Sequence, residues 1–417
     1  MPEHSFARRS RKHVQHPDSC CRHLVPGRPV VSPERGARSQ AAGGNVTPFR
    51  FYDNRQKYLA FVNTCNEKSA VAQRAARELK ALRPSQPALR IFDAGMGDAT
   101  VLARLMRHAH ARFPTVPVLA VAKEISLEDV RLGLEKMPDR FVEHPATVFV
   151  VTNLNYADAP RLLPRRIDAG AALNWQEVRL QGRTSTEYAE QIEALADTLA
   201  FGWQTRLSPK TGNPVYARPS VLVVFREDHA FLLDRVIPRA GEAAGPYDLI
   251  VASQPWRARV SARFKAEKVL APLVRSLASE GRLLAVQSYG HDPALEIIQR
   301  LWPGEDPFQV DRRQLLAALE VELGPAASDY SFAVPSDADS IFRYEMHTLP
   351  TEIGDRIGTS TLYAAWNAAI YVNQIEDERL DAVVASGAYL AATQEVLHRH
   401  GGLWFYDESF VVTRRKT

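Results

Sequence analysis

Two short stretches of this chain carry residue types that could bind and react. The first is Asp93-Ala94-Gly95-Met96-Gly97, an apolar strand that closes on an acid and then a Gly-x-Gly turn. Glycines admit backbone angles that a Cβ forbids and let the main chain approach a ligand, while the helix expected to follow offers its free N–H groups. A second acid, Glu124, closes the next apolar strand, where a carboxylate can take two hydrogen bonds from ribose hydroxyls. The step of 27 residues from Gly97 to Glu124 exceeds the roughly 20 of a dinucleotide fold, and Ala99-Thr100 stand in place of its third glycine. The pair therefore suits a nucleoside without a diphosphate.

The second stretch is Ser253-Gln254-Pro255-Trp256, after a buried-type strand over 247–252. A side-chain amide or carbonyl there could accept a hydrogen bond from an attacking nitrogen; alternatively, a Pro-aromatic turn merely ends a strand. Glu67 has the same double reading. It falls in the first turn of a helix, where the dipole favours a carboxylate, yet its charge could meet a cation. Tyr363, Trp366 and Ile370, at helical spacing, could wall a cation pocket with their rings or pack in the core. No metal-ligand spacing and no Gly-x-Ser-x-Gly nucleophile motif occurs.

Positioning these residues requires a sheet. Short apolar runs at 89–92, 118–122 and 148–152 alternate with helical periodicity, including a helix over 66–82, and the pattern resumes with strands at 247–252 and 283–287. Strand, helix, strand in this rhythm predicts parallel strands under covering helices. Two late strands, 341–347 and 403–412, are separated by helices at 362–372 and 380–397. The rhythm breaks over 161–246, which holds one candidate strand at 221–225 and reads as an insertion. Residues 1–48, with six prolines and no apolar period, read as a disordered basic tail. The domain boundaries that follow are 1–48, 49–160, 161–246 and 247–417.

Composition removes several classes. The chain has 417 residues, 45% hydrophobic and 24% charged, and no apolar run of membrane-spanning length. Its three cysteines, two of them adjacent at Cys20 and Cys21, make no disulfide framework, and a cytoplasmic location is expected. The net charge is +4, but residues 1–48 carry eight Lys/Arg against three Asp/Glu, so the body holds −1. Duplex nucleic acid wants a basic face, and the body gives no sign of one in its charge balance; nucleic acid is not expected as a partner, and no membrane is.

These landmarks resemble the class I S-adenosylmethionine-dependent methyltransferases. Asp93 to Gly97 is similar to their first motif, Glu124 to their ribose-binding acid, Asn153-Leu154-Asn155 to the loop flanking the adenine, and 247–256 to their fourth-strand motif. Ser253 to Trp256 is also similar in shape to the Asn/Asp-Pro-Pro-aromatic motif of enzymes that methylate amino nitrogens. The resemblance implies a doubly wound α/β fold with a mostly parallel seven-stranded sheet and an antiparallel last strand. It implies S-adenosyl-L-methionine as cofactor, held by Asp93, Gly95, Gly97, Glu124, Asn153 and Ser253, and no metal. Tyr58-x-x-Phe61-x-Asn63-x-x-x-Glu67 and Gln254 further resemble substrate-contacting positions of the histamine N-methyltransferase family, which implies a small-molecule amine acceptor met by Glu67 and Gln254. An RNA or protein methyltransferase, or a non-catalytic module that only binds the cofactor, are the alternatives.

Overall fold

The apolar runs lack polar alternation because both faces of the sheet they build are covered. The computed structural model describes residues 55–208, 214–348, 350–354 and 356–416; the tail expected over 1–48 lies outside them. In chain order the strands are β1 (Leu89–Asp93), β2 (Val118–Lys123), β3 (Thr147–Thr152), β4 (Asn174–Leu180), β5 (Thr205–Leu207), β6 (Pro214–Tyr216), β7 (Ser220–Arg226), β8 (Tyr247–Ser253), β9 (Leu277–Ser288), β10 (Tyr330–Ala333), β11 (Ile341–Glu345) and β12 (Trp404–Arg414). Among the described residues ten of these form one sheet, in the order β10-β12-β9-β8-β1-β2-β3-β7-β4 with β11 also on β12, and β5 and β6 form a separate hairpin.

The run β3-β2-β1-β8-β9 is parallel, and β12 returns antiparallel against β9. With β11 these are seven strands of the expected kind. Three more extend the sheet: β10 beside β12, and β7 and β4 beyond β3. The segment 161–246 supplies the latter two, with β7 antiparallel to β3 and β4 parallel to β7. Strand β4 is absent from the sequence reading because its residues, Asn-Trp-Gln-Glu-Val-Arg-Leu, sit at a half-exposed edge and need no apolar alternation.

Alternation along each strand sorts side chains to two cores. Phe92, Val121, Val150 and Ile250 face one, and Ile91, Ala120, Phe149 and Leu249 the other. A third cluster joins helix α1 (Arg55–Thr64) to the helices between β11 and β12, through Phe61, Trp366, Ile370, Tyr389 and Leu397. Register levels the carboxyl ends: Asp93 lies beside Ala122 on one side and Val251 on the other. The turns after β1, β2 and β8 therefore open at one edge, where α/β sheets place their ligands.

Candidate active site

The glycine turn leaves β1 and feeds helix α3 (Thr100–Arg112). Gly97 has φ +53°, a left-handed angle that glycine adopts without a Cβ penalty, and a Cβ there would also lie 2.9 Å from the Tyr58 hydroxyl. Asp93 accepts the Gly95 N–H at 3.2 Å. Burial, offset by that bond and reinforced by Glu124, pushes the Asp93 carboxyl up to about 7. Asp98, past the turn, accepts from the hydroxyl of Thr100 at 2.7 Å and is paired with Lys68. Burial alone would raise Asp98; Lys68, Thr100 and Lys136 outweigh it and hold the carboxyl at about 2.

Glu124 ends β2 and ties the site together. Its Oε2 accepts the Gly97 N–H at 2.9 Å, and its Oε1 accepts those of Ile125 and Ser126 at 2.8 and 2.9 Å. A carboxylate offers about four lone-pair sites, so one remains. The expected pair of ribose hydroxyls is thus reduced to a single donor at Glu124 in this arrangement. Ser126 then caps helix α4 (Leu127–Leu134) through Asp129 N at 3.3 Å. From the segment 161–246, the buried Trp203 Nε1 donates to the Glu124 carbonyl at 2.8 Å.

Trp203→Phe keeps the ring in place but leaves that carbonyl without its donor. Unfolding free energy should fall by about 1–3 kcal/mol, the cost of an unsatisfied buried group, with an unchanged far-UV spectrum. Urea denaturation reads this; no change in midpoint would deny the segment 161–246 its supporting role.

At the other side of the opening, helix α2 (Glu67–Glu78) starts at a fixed point. Asn66 gives no cap bond; instead its N–H donates to the Glu345 carbonyl at 3.0 Å and its Oδ1 accepts from Glu345 N at 2.8 Å. Strand β11 thereby places Glu67 facing the turn after β8. There Gln254 adopts φ +49°, rare for a residue with a branched amide. Its side chain is held: Oε1 accepts from Ser288 N at 3.2 Å, and Nε2 is 3.1 Å from both the Ser288 hydroxyl and Asp407 Oδ1. Gln254 also lies beside Glu67 and favours its charged form, so one amide stands between two carboxyls. Burial raises both. Glu67 reaches about 7, lowered somewhat by Lys68 and Gln254, while Asp407, fully buried and facing Glu67 and Asp292, is pushed well above its ordinary value.

One cavity of about 800 Å³ connects these parts. Gly95, Gly97, Glu124, Ser253, Gln254 and Glu67 all line it. Two sequence candidates do not. Asp93 stands behind the glycine turn. Asn153 is turned away: its amide donates to the Gly202 and Arg218 carbonyls at 3.1 and 3.0 Å and accepts Ser220 N at 2.9 Å. These bonds fasten the end of β3 to the segment 202–220 and leave Tyr156, three residues on, in the cavity wall.

Of the two readings of Tyr363, Trp366 and Ile370, core packing holds for Trp366 and Ile370. Tyr363 is half exposed, Trp366 stacks on Trp302 at 6.3 Å, and Ile370 is core. The helix is the expected one, Thr359–Val372, but its Tyr371 faces the cavity, 6.0 Å from Tyr58 and 5.0 Å from Phe61 between ring centroids. Tyr344 from β11 completes this wall. Tyr58 and Phe61 stood in the motif before Glu67; Tyr344 and Tyr371 carried no signal, because only the fold decides which face of their elements meets the opening. His291-Asp292 has a structural task, Asp292 capping the helix Pro293–Leu301 through Leu295 N at 2.9 Å. No group of three His, Cys, Asp or Glu among the described residues is placed to hold a metal.

No protein-family model and no curated protein matches this chain. Solved structures with some likeness include a geranyl diphosphate methyltransferase in complex with GPP and sinefungin, 14% identical over 82% of this chain and 76% of that one, TM-score 0.30. Others are the cyclopropane synthase MmaA2 from Mycobacterium tuberculosis, 12% over 82% and 83%, TM-score 0.27, and PKMT2 from Rickettsia typhi in complex with AdoHcy, 12% over 83% and 53%, TM-score 0.29. At such scores the fold assignment rests on the chain's own strand order and register.

Proposed function

We propose that this chain is an S-adenosylmethionine-dependent methyltransferase whose acceptor is nitrogen of a small-molecule amine. The observation that carries the reading is the single cavity joining two unlike ends. At one end a glycine turn and a strand-end acid leave main-chain surface and a carboxylate lone pair for a nucleoside; at the other a carboxyl and an aromatic wall suit a cation. The residues fit the cofactor: a Cβ at Gly95 would meet only the Ser253 carbonyl, at 3.9 Å, so the space beyond is open to a ligand rather than filled by protein. Glu124 takes a ribose hydroxyl, and Gly95, Gly97 and Ser253 border the rest.

Bound there, S-adenosylmethionine supplies a sulfonium-activated methyl, whose S–C bond breaks to leave a neutral thioether as the new N–C bond forms. The chain's own residues do the remainder. Glu67 holds the ammonium form of the acceptor and takes one of its protons, freeing the lone pair. Gln254, locked by Ser288 and Asp407, fixes Glu67 in place, so its role is to position the carboxylate; its own Oε1 already accepts from Ser288. Tyr58, Tyr344 and Tyr371 exclude water and face the cation with their rings. Most of the rate gain then comes from orientation.

The test is incubation of the purified protein with methyl-labelled S-adenosylmethionine and fractionated extract. Label is expected in small amines. Label in RNA or protein would replace the acceptor class, and cofactor binding without any transfer would leave only a binding module.

A further inference from the structure

The sheet stops at β4, and this edge complements itself. Asn174 N donates to the Pro219 carbonyl at 2.8 Å. Because successive residues of a strand point their backbone groups to opposite sides, Asn174, Gln176, Val178 and Leu180 turn theirs toward β7, and Trp175, Glu177 and Arg179 turn theirs outward. Among the described residues no strand pairs with that outer side. The side chains of Glu177 and Arg179 share one sheet face, joined by an Arg179 Nε to Glu177 Oε1 bond of 2.8 Å, with Arg179 5.9 Å from the Phe225 ring centre.

Any antiparallel register centred on a residue of β4 would let these outward groups bond to a second copy about a twofold axis, and only the one centred on Val178 sets Glu177 opposite Arg179. Centred on Glu177, the pairing sets carboxylate against carboxylate. Centred on Val178, it sets each Glu177 opposite the other copy's Arg179, and both residues are outward-bonding, as a hydrogen-bonded pair requires. Directly opposed like charges destabilise a sheet pair and opposite charges stabilise it, so charge selects the register centred on Val178.

The flanks agree. An antiparallel seam brings the start of one β4 to the end of the other. Just before β4, the helix Ile167–Ala171 presents Ile167 at 92% exposure. At the far end, where Leu180 pairs with Arg226, the chain leaving β7 presents Phe231 at 98% and Leu232 at 60%. Apolar side chains this exposed gain by meeting across an interface.

We propose that the chain forms a twofold dimer by pairing β4 with β4 of a second copy, centred on Val178 and closed by two Glu177–Arg179 pairs between copies. Such a seam makes one continuous sheet and uses the same patch twice, as a twofold interface must. It is independent of the methyl-transfer reading.

Sedimentation velocity of the full chain over a concentration series tests it. A concentration-dependent dimer is expected. Glu177→Lys and Arg179→Glu should each weaken it about tenfold or more, since each places two like-charge pairs in the seam. The exchanged double variant Glu177→Arg/Arg179→Glu restores both pairs and should recover the dimer to within about threefold. Circular dichroism and melting curves confirm that each variant is folded. A monomer at all concentrations, single variants that dimerise as the parent does, or a double variant no better than the singles would overturn the proposal.

Discussion

Gly95→Val is expected to abolish S-adenosylmethionine binding in a protein that melts where the parent does. The argument turns on what surrounds the new side chain. The nearest protein atom to a Cβ at Gly95 is the Ser253 carbonyl at 3.9 Å, an ordinary contact, so the fold has room for it. The two γ-methyls project into space that belongs to the ligand, and overfilling a fitted site costs about 1–3 kcal/mol or more. Glu124→Ala should lose binding too, through the ribose bond, worth about 1.5–3 kcal/mol to a charged acceptor. It carries a second effect that Gly95→Val lacks. Three main-chain N–H groups, of Gly97, Ile125 and Ser126, lose their acceptor, so this variant should also melt earlier. Calorimetry beside thermal melts separates the cases, and full cofactor affinity in Gly95→Val would remove the nucleoside from this turn.

The fold was largely legible because the burial of a parallel sheet writes continuous apolar runs into the sequence. β1, β2, β3 and β8 each matched such a run to within a residue or two. Both glycines, Glu124 and Gln254 could be found because strand ends at one sheet edge converge whatever the loops contain. Asn153 shows the limit of that logic. It sits at the expected strand end, but the chain between 202 and 220 offers it two carbonyls and an N–H, and a buried amide goes where its bonds are satisfied. Tyr371 shows another limit: helical spacing identified its helix, and packing against α1 rather than spacing chose which ring looks inward. Edge strand β4 was illegible for the same reason that makes it interesting, since an edge is free to carry charge.

Acceptor kinetics should depend on pH through Glu67. Burial raises this carboxyl to about 7. Below that pH it is neutral and attracts an ammonium weakly; above it the charge is present and a proton can be taken. For a cationic amine, kcat/KM should therefore rise as pH increases through about 7 and level off when Glu67 is ionised. Glu67→Gln keeps the shape without the charge, so it should raise KM, lower kcat where proton removal limits the rate, and erase the limb near 7, leaving cofactor affinity intact. Gln254→Ala acts through the carboxyls it stands between. Without the amide, Glu67 loses a polar neighbour that favours its charged form and the limb should move to higher pH, while the loss of position lowers kcat more than it changes KM. That shift is the informative readout, because a merely destabilised wall would lower activity at every pH without moving the limb. The profiles require only the acceptor identified by labelling; a parent-like limb in Glu67→Gln would take Glu67 out of the chemistry and leave this end of the cavity without its proposed base.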